Sequence, residues 1–231
     1  MARRLIVNAD DFGFTCDVNQ GILEAHRDGI LTATTLMAVG PAFDDAVQIA
    51  KEYPSLDVGC HLVLVQSPGL PPSVSKLIRA LASSKINPYD EFSKQVRRIL
   101  EAGIQPTHLD THKHTHLLPP VLDAIARVSE EFKIPWVRRP FDFPRQPGSS
   151  GLTRRLVSGS FALLRRRFAR VLALHHCRST DHFAGFKITG DYDTGALADL
   201  IRALPEGLTE FMCHPGRCTG ELRAANTRLK D

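Results

Sequence analysis

Apolar, β-branched runs alternate along the chain with segments of helical spacing. LIVNA (5–9), TATTLMAV (32–39), LDVGCHLVLV (56–65), THLDTH (107–112), IPWVRR (134–139) and TEFMCH (209–214) predict strands, since such runs suit a pleated, half-buried surface. Between them, 18–29, 42–53, 90–103, 119–132 and 194–204 carry apolar residues at helical intervals. Gly29 and Gly103 stand where helix C-caps are expected, and Pro41 and Pro119 near helix starts. Strands that read as apolar on both faces and alternate with helices predict a parallel sheet covered by helices. No glycine-rich phosphate loop follows the first strand; Asp10 and Asp11 do. The predicted fold is therefore α/β: an irregular, TIM-barrel-like (β/α) barrel, a little under the usual ~250 residues.

The chain of 231 residues, 43% hydrophobic, suffices for one sizeable core, and 1–231 reads as a single domain. The proline- and glycine-rich stretch 140-PFDFPRQPGSSG-151 is expected to be a loop insertion. The ending 227-TRLKD-231 carries no capping signal, which suggests a further C-terminal segment. No apolar run approaches the ~20 residues of a membrane-spanning helix. MARRLIVNADDFG lacks the apolar core and cleavage site of a signal peptide, so a cytoplasmic location is expected.

Net charge is +4, and much of the excess lies in 154-RRLVSGSFALLRRRFAR-170. That argues against a general nucleic-acid binder. Around it, 152–172 forms a helical pattern with Val157, Phe161, Leu164, Phe168, Val171 and Leu172 on one side and Arg155, Arg166 and Arg170 on the other. The plain reading is a surface helix packed on the barrel. The sharper one is a basic amphipathic helix meeting an anionic membrane surface or a lipid-linked substrate. Five cysteines without C-x-x-C spacing argue against a disulfide framework or a zinc knuckle; Cys60 and Cys213 each precede a candidate histidine.

The densest chemistry is 107-THLDTHKHTHLLPP-120. If this stretch were a strand, His108, Asp110, His112, His114 and His116 would share one face. Neighbouring imidazoles could then converge on one metal ion, but five such residues could not. At most two would be ligands, and the rest would orient ligands or touch substrate. Clustering so many titratable groups costs free energy unless a charge or ligand uses them. Further ligands would come from other strand ends, where barrel chemistry sits. Asp10-Asp11 closes the first strand, His61 lies in an otherwise apolar one, and His214 ends TEFMC before Pro215. Two histidines and a carboxylate form a triad with open positions. A second adjacent carboxylate is suited to accept a proton.

These residues carry a resemblance. With 5-LIVNADDFG-13, 29-GILTATTLM-37, 55-SLDVGCHLVLV-65, 106-PTHLDTHKHTHLLP-119 and 211-FMCHPG-216 in order, the sequence resembles the YdjC-like carbohydrate deacetylases. That group includes chitooligosaccharide deacetylases and the deacetylase associated with hopanoid biosynthesis. The resemblance implies a barrel-like fold and places the metal triad on Asp11, His61 and His112, the general base on Asp10 and a candidate acid on His214. Asp110, His114 and His116 are left to orient ligands or contact substrate. Lys113 stands where the family often has a histidine.

The resemblance implies hydrolysis of the N-acetyl group of an amino sugar, with a divalent metal, magnesium or zinc foremost, as cofactor. Similarity around 58–65 and 181–190 to the hopanoid-associated branch extends the expectation to a lipid-linked substrate, with soluble chitooligosaccharides as the alternative. Membrane contact through 152–172 and a homodimer, the commonest oligomer, complete the expectations. Two rival classes are a non-haem iron oxygenase, against which the adjacent Asp10 argues, and a non-catalytic sugar- or metal-binding protein.

Overall fold

The computed structural model describes residues 2–143, 152–186, 189 and 193–224, with 152–162, 221 and 224 described by backbone only. Strands β1 (Arg3–Phe12), β2 (Ala33–Leu36), β3 (Asp57–Leu62), β4 (His108–Thr111), β5 (Trp136–Val137), β6 (His182–Ala184) and β7 (Gly207–Cys213) form one sheet in the order β5-β4-β3-β2-β1-β7-β6. Every pairing is parallel. The sheet curls until its edges meet: isolated bridges join Trp136 to Arg178 and Asp142 to Phe183. The Phe143 amide donates to the Phe183 carbonyl at 2.9 Å across that seam. The arrangement is the TIM-barrel-like one expected, irregular where β5 and β6 are short.

Helices α1 (Cys16–Arg27), α2 (Phe43–Glu52), α3 (Val74–Ala82), α4 (Pro88–Glu101), α5 (Pro119–Phe132), α6 (Leu152–Leu174), α7 (Thr194–Arg202) and α8 (Gly220–Ala224) surround it. Their starts follow local chemistry. Thr15, Ser73, Asn87 and Asp193 cap α1, α3, α4 and α7 through their side-chain oxygens, and prolines open α4 and α5.

Outward-facing residues of the strands, Val7, Ala9, Val58, Cys60, Leu62, Leu109, Val137 and Phe211, join helix residues such as Ile22, Phe43, Phe92, Val96 and Ile125 in the core. The inward face differs from the expectation of strands apolar on both sides. Asn8, Asp10, Thr35, His61, Asp110 and Glu210 are buried polar residues alternating with those apolar ones. The hydrophobic core thus lies between sheet and helices, while the barrel interior holds charge.

β6, α3 and α8 are not among the elements that the sequence predicts; β6 and α8 are only three and five residues long, too short to show a period. On α6, Phe168, Val171 and Leu172 are buried and Arg166 and Arg170 exposed, as the plain reading of that helix expects. Arg155, Val157 and Phe161 lie outside the residues whose side chains are described, as do the greater part of the 140–151 loop and the chain end at 227–231.

Candidate metal centre and active site

β1 delivers two adjacent acids to one place by breaking its own alternation. The β1–β2 register shifts between Ala9 and Phe12, and Asp11 adopts φ 65°, a left-handed conformation rare outside glycine. Side chains that regular pleating would send to opposite faces therefore both serve the C-terminal mouth of the barrel.

The sequence 108–116 is not a continuous strand. β4 stops at Thr111, and His112–Leu117 turns in a 3-10 arrangement, with Lys113 and His114 left-handed at φ 56° and 49°. The shared face predicted for His108 to His116 is corrected accordingly, because strand alternation ends where β4 does. His108 instead bonds Asn8 at 2.9 Å and Thr107 at 2.8 Å. It lines a cavity of about 150 Å³ toward the strand N-termini, together with Ile6, Trp136, Thr180 and Glu210. His116, fully buried, bonds Thr111 through Nδ1 at 2.5 Å and packs on Phe168. Burial pushes both His114 and His116 down to about 3, so each is a neutral imidazole.

Asp11, His61 and His112 come together. Asp11 Oδ1 lies 3.0 Å from His112 Nδ1 and 3.3 Å from His61 Nε2, and the two histidine nitrogens are 3.3 Å apart. Ligand atoms about 2.1 Å from one ion would be separated by about 3.0 Å at right angles and about 3.4 Å at tetrahedral angles. The observed triangle falls within that range. Asp110 pairs with His61 in the β3–β4 register. Its carboxylate takes Nδ1 of His61 at 2.7 Å, which turns Nε2 toward the triangle. Thr35 donates to the other Asp110 oxygen at 3.1 Å.

Beside the triangle lies a residue whose role the sequence did not announce. Arg138, one residue past β5 and 3% exposed, binds Asp10 through Nη1 and Nη2, Asp110 through Nη1, and Glu210 through Nε, all at 2.6 Å. In IPWVRR it reads only as a strand-end cation. Its one distinguishing feature was an inward register beside apolar neighbours.

The electrostatics follow. Burial would raise Asp10, but Arg138, His61 and His214 outweigh it and hold the carboxyl far below its usual range. Asp11 is likewise lowered against burial by His112 and His61. Burial pulls His61 down, yet Asp110, Asp11 and Asp10 carry it well above 6.5. Glu210 rises to about 7, mainly by burial. Four acidic side chains thus line this interior, with one guanidinium bonded to three of them. Such an excess of negative charge is costly unless compensated. A divalent cation held by Asp11, His61 and His112 fits both the donor set and the missing charge. A second grouping, Asp10, His61 and Asp110, also has metal-ligand spacing, but Arg138 already occupies both its carboxylates. Cys213 is buried and its thiol pushed up to about 12 by burial and Asp10. Cys60 is similarly raised, so both thiols stay protonated.

The sequence model of the YdjC-like proteins matches residues 4–231. The chain belongs to the YdjC-like family. Among relatives of this YdjC-like protein, a carbohydrate deacetylase of Brevibacillus brevis is 40% identical over 154 residues, 62% of either chain. A chitooligosaccharide deacetylase of Salmonella typhimurium is 40% identical over 144 residues, 57% of either chain. The matched segment thus spans less than two thirds of these relatives. Among solved structures, a candidate cellobiose-phosphate cleavage protein of Enterococcus faecalis has a TM-score of 0.71 at 26% identity, covering 96% of this chain and 85% of its own. A lactam utilization protein of Thermus thermophilus has a TM-score of 0.51 at 16% identity, covering 91% and 89%, a likeness of fold alone.

Proposed function

We propose that this chain is a metal-dependent hydrolase that removes the N-acetyl group from an N-acetylated amino sugar. The observation that carries the reading is the Asp11–His61–His112 triangle with Asp10 fixed beside it. The names of the 40%-identical relatives, carbohydrate and chitooligosaccharide deacetylase, support the same chemistry.

Asp11, His61 and His112 would hold a divalent cation, with magnesium and zinc the foremost choices, and Asp110 keeps the His61 ring turned toward it. Such an ion supplies electrophilic pull on an acyl oxygen and acidifies a neighbouring water. Asp10 accepts the proton of the attacking water as its oxygen bonds to the acetyl carbon. Arg138 holds Asp10 ionised and in one orientation, at the cost of some basicity. Asp10 Oδ1 accepts from both Arg138 Nη2 and Asn8 Nδ2, which leaves Oδ2, bonded by Arg138 Nη1, with a lone pair for the proton. His214, one residue past β7 and close enough to act on Asp10, would protonate the leaving nitrogen. Acetate and a free amine result. The oxygenase alternative does not account for a carboxylate clamped beside the triad.

For the substrate we infer an amphiphilic, lipid-linked amino sugar of hopanoid-glycolipid type, met at the membrane surface. The supporting observation is α6, where Leu163 and Leu174 are 69% and 73% exposed beside exposed Arg166 and Arg170. No described helix is long and apolar enough to cross a membrane.

The test is acetate release from soluble and lipid-linked N-acetylhexosamines, with metal, with chelator, and with metal restored. Release that chelation abolishes and metal restores is expected. Acetate from none of the panel, or release indifferent to chelation, would overturn the reading. Liposome co-sedimentation separates the substrates: no binding, with activity only on soluble oligomers, favours chitooligosaccharides.

A further inference from the structure

Phe186 is a large apolar side chain left 48% exposed at the edge of the barrel that carries the chemistry. It follows β6 by two residues, on the side where β1, β3, β4 and β7 present Asp10, His61, His112 and His214. Exposed apolar residues are commonplace singly, so exposure alone means little. The construction beneath this one is more specific.

Gly185 has φ +121°, and a Cβ there would stand 2.4 Å from the Met212 carbonyl oxygen. The backbone therefore lies flat against β7, which only glycine permits. The next amide, of Phe186, donates to Asp142 Oδ1 at 3.2 Å, and the Thr189 hydroxyl donates to the Gly185 carbonyl at 2.6 Å. Three fixings thus hold the turn that presents the ring. The ring meets His114 edge-on, with centroids 5.0 Å apart at 65°, and His114 stands in turn 6.0 Å from Phe183 at 86°. His114 reaches this position through the paired left-handed residues 113 and 114, a backbone cost of roughly 1–2 kcal/mol per residue. Its Nδ1 is buried with no hydrogen-bond partner among the described residues. Strain, an unsatisfied polar atom and an exposed aromatic face therefore coincide next to the metal triangle.

We propose that Phe186, backed by His114, is the surface on which the substrate's hexosamine ring stacks, a specificity-determining contact that rests on the deacetylase reading. A pyranose presents an axial face of C–H groups to an aromatic ring and rims it with hydroxyls. Phe186 offers the apolar face, and His114, edge-on to it with centroids 5.0 Å apart, holds that face in place. Phe186 carries no group that could ligate a metal or move a proton, so its removal reads out binding.

The test compares the metal-loaded protein with Phe186→Ala and Phe186→Trp, using both soluble di-N-acetylchitobiose and lipid-linked N-acetylhexosamines for turnover and for binding. Phe186→Ala is expected to raise KM about tenfold, the effect of truncating an aromatic anchor, with kcat nearly unchanged, and Phe186→Trp to restore it. A KM equal to wild type in Phe186→Ala overturns the stacking surface while leaving the deacetylase reading intact. Binding by wild type that Phe186→Ala loses, without acetate release by either, keeps the stacking surface and removes the deacetylase reading. Binding of the sugar by neither protein overturns both.

Discussion

Arg138 and Asp10 face each other through two parallel hydrogen bonds of 2.6 Å, Nη1 to Oδ2 and Nη2 to Oδ1, inside the barrel. Such a fork-to-fork pair fixes orientation as well as charge. The same guanidinium holds Asp110 and Glu210, so three carboxylates depend on one cation. Arg138→Met should therefore destabilise the protein by about 3–5 kcal/mol, the range for stranding buried partners. Arg138→Lys keeps the charge but not the fork and should fall between the two. Urea unfolding of the three proteins checks the order. A methionine variant as stable as wild type would mean that the carboxylates are neutral when buried.

Adjacent Asp10 and Asp11 are expected to separate cleanly in function. Asp11→Ala should lose bound metal and activity together, because Asp11 bonds both histidines of the triangle. Asp10→Asn should keep metal and lower turnover by about 10²–10⁴, the usual share of a general base. Metal stoichiometry and acetate release, measured on the same preparations, decide it. Loss of metal in both variants would assign Asp10 to the ion instead.

How much of this was legible beforehand depends on which residues carried local information. Asp10, Asp11 and His61 stood out because polar, titratable types ended or interrupted apolar runs, and the barrel followed from strand–helix alternation. His112 was singled out from its neighbouring histidines only by the family resemblance. The left-handed turn at Asp11 did not, since nothing local distinguishes a pleated Asp-Asp from a bulged one. Nor did the end of β4 at Thr111, where a run of alternating histidines reads as strand until its backbone dihedrals are seen. Arg138 was invisible for a third reason. Its partners lie 128, 28 and 72 residues away, and only closure of the sheet brings Asp10, Asp110 and Glu210 to one guanidinium. The apolar reading of the strands failed similarly, because alternation across Asn8-Ala9-Asp10 and Gly59-Cys60-His61 was masked by small and apolar neighbours.

The shifted histidines give a pH dependence of definite sign. His114 and His116 are lowered from 6.5 to about 3. The unfolded chain therefore binds their protons first as pH falls, and stability present above about pH 6.5 is lost toward pH 3, at about 1.4 kcal/mol per unit per histidine. His61 runs the other way. Its raised value contributes stability below pH 6.5 to the metal-free protein, lost as pH rises through the folded value. Because a metal must displace that proton, metal affinity should fall as the solution is acidified. Acid unfolding of His116→Leu should come at lower pH than wild type, and calorimetric metal titrations across pH 6–8 should show tighter binding at the alkaline end. An acid midpoint unmoved in His116→Leu would show that His116 is protonated in the folded state.

Asp110 offers the sharpest separation of metal holding from proton transfer. Its Oδ1 fixes His61 Nδ1 at 2.7 Å, and its Oδ2 takes Thr35 and Arg138. Asp110→Asn can still accept from His61 through its amide oxygen, but without the charge that raises the basicity of the ring. Metal affinity is expected to weaken 10–100-fold, the usual cost of altering a ligand's hydrogen-bond partner, while turnover at saturating metal stays near wild type. Arg138 keeps Asp10 and Glu210 as partners, so the base remains oriented. Asp10→Asn should give the mirror image, metal retained and turnover lost. Metal titration monitored by activity reads both quantities at once. Lost turnover in Asp110→Asn that no excess of metal restores would place Asp110 in the proton-transfer step alongside Asp10.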